Sequence, residues 1–121
     1  MIEEITTLIH EVLAKEGYNV KFSTPPLEYP DDYIQFGPTY NYPKRTKSFL
    51  MGTMVVTLHF WYDHSNIIGV SQAMDNVATQ CRYFPKPHNW VLQKSNTRLL
   101  KDETTNKKFQ HGILELEYAY Y

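Results

Sequence analysis

The chain has 121 residues, 42% hydrophobic and 21% charged, a length and balance that exclude a disordered tail. Twelve Lys and Arg against thirteen Asp and Glu leave a net charge of −1, which argues against a general nucleic-acid binder. No apolar run nears the roughly 18 residues of a membrane span. The opening Met1-Ile2-Glu3-Glu4 is unlike a signal peptide, and the single Cys81 permits no internal disulfide, so the expected folding compartment is the cytoplasm. Ten Tyr, six Phe and two Trp make the chain 15% aromatic, more than a small core hides. Such an excess points to an interface, because Tyr and Trp combine large contact area with a polar handle.

Ile2, Ile5, Leu8, Ile9, Val12 and Leu13 fall on one helical stripe, and Gly17 suits the left-handed residue that ends a helix. Apolar and polar residues alternate over Tyr18–Phe22, as in a short half-buried strand. Pro25-Pro26 and Pro30-Asp31-Asp32 make 23–32 a loop, and Tyr33–Phe36 reads as a brief strand closed by Gly37-Pro38. The polar stretch Thr39–Ser48 reads as a long loop or an extended hairpin arm. The longest strand is expected from about Phe49 to Tyr62, with Met54, Val56, Leu58, Phe60 and Tyr62 on one face. Its other face carries Val55, Thr57, His59 and Trp61, and its length implies a projection beyond the domain body.

Asp63 or Ser65 can cap a second helix whose stripe is Ile67, Val70, Met74, Val77, Ala78 and Cys81. Two closing strands follow, from Trp90 to about Leu100 and from about Phe109 to Tyr120, joined by the polar turn Lys101–Lys108. Leu114, Leu116, Tyr118 and Tyr120 share one face of the last strand, opposite His111, Ile113, Glu115 and Glu117. The order is α-β-β-β-α-β-β. It implies one α+β domain over residues 1–121, with two helices packed on a mainly antiparallel sheet.

Catalytic and metal signatures are weak. His59 and Asp63 lie about 13 Å apart on an unbroken strand, as do His111 and Glu115, too far to share an ion. His64 adds no converging set, and Cys-x-x-Cys and His-Glu-x-x-His are missing. Cys81 sits on an apolar stripe near a helix C-terminus, so it reads as a buried small hydrophobe. The carboxylate pairs Asp31-Asp32 and Asp102-Glu103 fall in wet turns, and no glycine loop can cradle phosphate. These features give no expectation of an enzyme, a metal or a cofactor. Lys44, Arg45 and Lys47, close to Tyr40 and Tyr42, form a basic and aromatic cluster of the kind that single-strand binders use. Lys101, Lys107 and Lys108 form a second exposed polar segment. Both segments are either solvated loop tips or partner contacts, since loops on rigid scaffolds carry much of recognition.

Three stretches carry a resemblance: Tyr33-Ile34-Gln35-Phe36-Gly37, the long strand Gly52 to Asp63, and Phe109 to Tyr118 with its His-Gly-apolar ending. In this order and at these distances the chain resembles the tail-completion proteins of long, non-contractile-tailed bacteriophages, the tail terminators and tail-to-head joining proteins. The resemblance implies a virion subunit at the head-proximal end of the tail, assembled in the host cytoplasm. It implies a hexameric ring that stops tube growth, joins tail to head, and can stay monomeric before docking. The partners implied are further copies of the chain, the major tail tube protein and the head–tail connector, with DNA only as passing cargo and no membrane. Another neck or connector ring protein is the alternative, and a small nucleic-acid-binding module is the alternative of a different class.

Overall fold

The computed structural model describes residues 2–22, 32–45, 50–63, 65–83, 90–102 and 109–120, with the backbone alone at Arg45, Leu50, Lys101, Asp102 and Phe109. Helix α1 (Ile2–Lys15) buries Ile5, Ile9 and Leu13 completely, the four-residue step of one apolar stripe. It ends as the sequence implies. Gly17 takes φ +90, and the amides of Gly17 and Tyr18 bond to the carbonyls of Ala14 and Leu13, each at 3.1 Å.

Strands β1 (Val20–Lys21), β2 (Tyr33–Arg45) and β3 (Leu50–Asp63) follow, then α2 (Ile67–Tyr83), β4 (Trp90–Asp102) and β5 (Phe109–Tyr120). The sheet order is β1-β2-β3-β5-β4. Only the short β1–β2 pair is parallel, so the fold is α+β on a mainly antiparallel sheet. Both helices lie on one face: α2 packs on β3, β5 and β4, while α1 packs on β1, β2 and α2.

The core forms where period-2 strands meet period-3.6 helices. Met54, Val56, Leu58 and Phe60 of β3 and Leu114, Leu116, Tyr118 and Tyr120 of β5 are buried under the helices. Val56 sits opposite Leu116 and Leu58 opposite Leu114, so the two apolar rows run side by side. Val70, Ala73, Met74, Val77 and Cys81 of α2 close over them, and Cys81 is the buried hydrophobe that its stripe implies. Gly112 lets α2 approach closely, since a Cβ there would lie 2.8 Å from Met74 Sδ and 3.2 Å from Phe60 Cβ.

Four local expectations are corrected. Gly37-Pro38 does not close β2, which crosses it on a bulge between Phe36 and Thr39 and continues to Arg45. Thr39–Arg45 is therefore paired strand, the extended hairpin arm of the two expectations and not the long loop, and Ser48 lies outside the described residues. Pro38 and Pro43 are tolerated because β1 covers only Ile34 and Gln35 of β2, leaving the outer edge without ladder bonds among the described residues. Second, the strand at Tyr18–Phe22 is only Val20–Lys21. Third, neither Asp63 nor Ser65 caps α2. Asp63 still belongs to β3, and its Oδ1 accepts from the Ser65 amide at 3.1 Å and from its hydroxyl at 3.3 Å. Asn66 Oδ1 accepts from the Gly69 amide at 3.1 Å, so Asn66 is the cap. Fourth, Ile67, at the uncovered start of α2, is 48% exposed, and Ala73 takes its place in the buried stripe.

Lys101 and Asp102 belong to β4, so the connecting turn is shorter than Lys101–Lys108 implies. Among the described residues, Leu50 and Met51 pair with Arg45 and Lys44, and the described part of β5 ends at Tyr120 opposite Gly52.

Candidate functional site

One face of the sheet carries no helix among the described residues, and the period of two decides what it displays. On β3 the uncovered residues include Val55, Thr57, His59 and Trp61, and on β5 they include His111, Ile113, Glu115 and Glu117. Register brings these side chains together across strands. His59 lies opposite Ile113 and Trp61 opposite His111, which places the two histidines diagonally. His59 Nδ1 and His111 Nε2 are 2.8 Å apart, a hydrogen bond in which one ring must present an unprotonated nitrogen. The Trp61 indole stacks on His111, with centroids 3.9 Å apart and planes at 11°. Its Nε1 donates to Gln35 Oε1 at 3.1 Å, so the cluster ties β2, β3 and β5 together.

Gly37 completes this cluster. A Cβ at that position would lie 2.6 Å from His59 Nε2, so the bulge of β2 needs a residue without a side chain to admit the imidazole. Burial lowers the His59 pKa below the ordinary 6.5, because desolvation disfavours the imidazolium. Burial also raises the Tyr33 phenol, opposite Trp61. Sequence spacing cannot find the His59–His111 pair, because 52 residues separate its members and only strand register joins them. The available signal was that both histidines fall on the polar phase of their strands. No group of three or more His, Cys, Asp or Glu among the described residues could hold a metal ion.

The expected partner-contact residues divide by position. Tyr40 and Tyr42 lie on the hairpin opposite Val55 and Thr53, hence on the uncovered face, 51% and 57% exposed with ring centroids 6.1 Å apart. Lys44 is exposed beside them, and the Arg45 backbone ends β2. The structure thus gathers Tyr40, Tyr42 and Lys44 on one arm. Lys101 lies near the far end of β4, opposite Gln110, so the two segments do not form one patch. Lys47, Lys107 and Lys108 fall outside the described residues.

The arm is anchored from the core side. Tyr120 donates its hydroxyl proton to Asn41 Oδ1 at 2.7 Å, and its ring fills the space above Gly52, where a Cβ would meet Tyr120 Oη at 2.6 Å. Tyr118 donates to the Cys81 carbonyl at 2.8 Å, binding β5 to the last turn of α2. Burial drives the Tyr118 phenol pKa well above its ordinary value. No described helix is long and apolar enough to cross a membrane.

No family model matches the chain, and no curated protein matches it. Among solved structures, the fold matches a chain in the virion of a native gene transfer agent particle with a TM-score of 0.64. The match covers 98% of this chain and 96% of that one at 11% sequence identity, so the two share an architecture from end to end.

Proposed function

We propose that this chain is a non-enzymatic virion assembly protein that caps the head-proximal end of a phage tail tube as a ring. There it stops tube growth and joins the tail to the head. The observation that carries the reading is the end-to-end fold match to a chain of a gene transfer agent virion. The arm supports the same reading. Tyr40 and Tyr42 are large exposed aromatics beside exposed Lys44, a combination suited to binding a protein surface. A ring needs two different complementary surfaces on each subunit, and the arm is a surface left over for the tail tube or the connector.

The partners in this reading are further copies of the chain, the tail tube protein and the head–tail connector, with DNA passing through. A neck or connector ring is the second reading of the same fold match, and the two roles separate by their assembly defects. Withholding the chain from an infected cell should give filled heads with unattached or overlong tails. Normal tails lacking only a connector component point to the neck ring instead. A nucleic-acid module predicts retention on DNA that weakens steeply with salt, whereas the assembly reading predicts none by the isolated chain.

A further inference from the structure

Helix α1 and strand β4 lie at opposite sides of the subunit. β4 is an edge of the sheet, and α1 sits over β1 and β2 at the other end. Their charges are opposite too. The outer face of α1 exposes Glu3, Glu4 and Glu11, with Glu16 just beyond and Lys15 as the one cation. β4 exposes Lys94 and Arg98 on one face of the sheet, as their partners Glu117 and Ile113 show.

β4 is also a poorly protected edge. Among its described side chains Trp90 and Leu92 are the buried ones, and every residue from Lys94 to Leu100 is exposed. Val91, Leu99 and Leu100 are 46%, 37% and 47% exposed on a strand of 13 residues. Long edge strands with exposed apolar side chains invite pairing with another chain unless something covers them. α1 offers a matching mixture. Ile2 is 41% exposed, and half-buried Leu8 floors a shallow hollow edged by Glu3, Glu4 and Thr7.

Resting on the ring reading above, we propose that β4 of one copy docks on α1 of the next copy, forming the subunit contact of the ring. Spacing fits. Glu4 and Glu11 share a helix face about 11 Å apart, and Lys94 and Arg98 are about 13 Å apart along the strand. A two-fold contact would set α1 against α1 or β4 against β4, like charge on like charge. The head-to-tail contact sets cation against carboxylate and leaves a free α1 and a free β4 at the two ends of any open chain. Contacts of this kind close into rings when the rotation permits. Within the subunit Lys94 has only a weak, solvated pairing with Glu117, at 4.0 Å and 72% exposed, so it remains available to a neighbour.

Charge reversal tests the contact directly, with self-association followed by sedimentation at low salt. Lys94→Glu with Arg98→Glu should weaken association at least about tenfold, as should Glu4→Lys with Glu11→Lys. All four changes in one chain should restore it. A chain carrying Thr7→Cys and Asn96→Cys, treated with a short bis-maleimide, should give a ladder beyond the dimer, while each single variant stops at a dimer. Cys81 is buried and does not interfere. Reversal at either surface without effect, or failure of the four-fold variant to recover, overturns the contact. Those outcomes leave the virion reading standing, because labelling of particles tests it separately.

Discussion

His59 on β3 and His111 on β5 share one hydrogen bond, Nδ1 to Nε2 at 2.8 Å, on the face of the sheet that no described helix covers. One proton serves both rings at that contact. Protonating both nitrogens replaces the bond with two like charges, so the pair is a point where pH acts on the sheet.

The direction follows from the shift. His59 has its pKa lowered by burial, so the unfolded chain binds the proton more readily than the folded one. Stability is therefore full above pH 6.5 and falls as pH drops through that value. The urea midpoint should decrease between pH 7.5 and pH 5.5, with Trp61 fluorescence changing as its stack on His111 loosens. In His59→Gln the midpoint should depend less on pH over that range. An unchanged pH dependence in that variant contradicts this role for His59.

Tyr118 behaves in the opposite sense at the alkaline end. Its phenol stays protonated in the fold while the unfolded chain ionises near pH 10, so stability is lost as pH rises above that value. Tyr118→Phe leaves the buried Cys81 carbonyl without its 2.8 Å donor and should cost about 1–3 kcal/mol at neutral pH. The same variant should lose less stability between pH 9 and pH 11 than the parent. Calorimetry across that range checks both statements.

Gly52→Ala should destabilise the arm. The new methyl would lie 2.5 Å from the Tyr42 carbonyl oxygen and 2.6 Å from Tyr120 Oη, and backbone cannot yield as a flexible side chain does. A cost of about 1–3 kcal/mol is expected, with the Tyr120–Asn41 hydrogen bond lost. Faster amide exchange confined to Tyr40–Lys44 and Met51–Met54 would locate the damage.

The strand phases are legible in the sequence, because apolar residues at Met54 to Phe60 and Leu114 to Tyr118 alternate without a break. The register is not. Nothing local to His59 or His111 says which residues will face them, and the cluster with Trp61 and Gln35 follows only from pairing. Gly37 and Pro38 read as terminators because both break central strands, yet an outer strand that among the described residues pairs with β1 only at Ile34 and Gln35 accepts a bulge and two prolines. The cap of α2 is ambiguous in the sequence for a similar reason. Asp63, Ser65 and Asn66 all have capping side chains, and pairing of Asp63 with Phe109 removes the first of them.

Replacing Lys44, Arg45 and Lys47 together with Ala should leave the unfolding midpoint almost unchanged, as expected where charges such as that of exposed Lys44 contribute little stability. Joining of tails to heads, scored as infectious particles in a complementation assay, should fall. Normal particle yield from the triple variant would show that the arm is not a contact surface.

The central claim is the position of this chain in a particle. Immunogold electron microscopy of intact particles and of isolated tails, with an antibody to the chain, tests it most directly. The account predicts a single cluster of label at the head-proximal end of the tube. Label along the tube, at the distal tip, or absent from purified particles would contradict it.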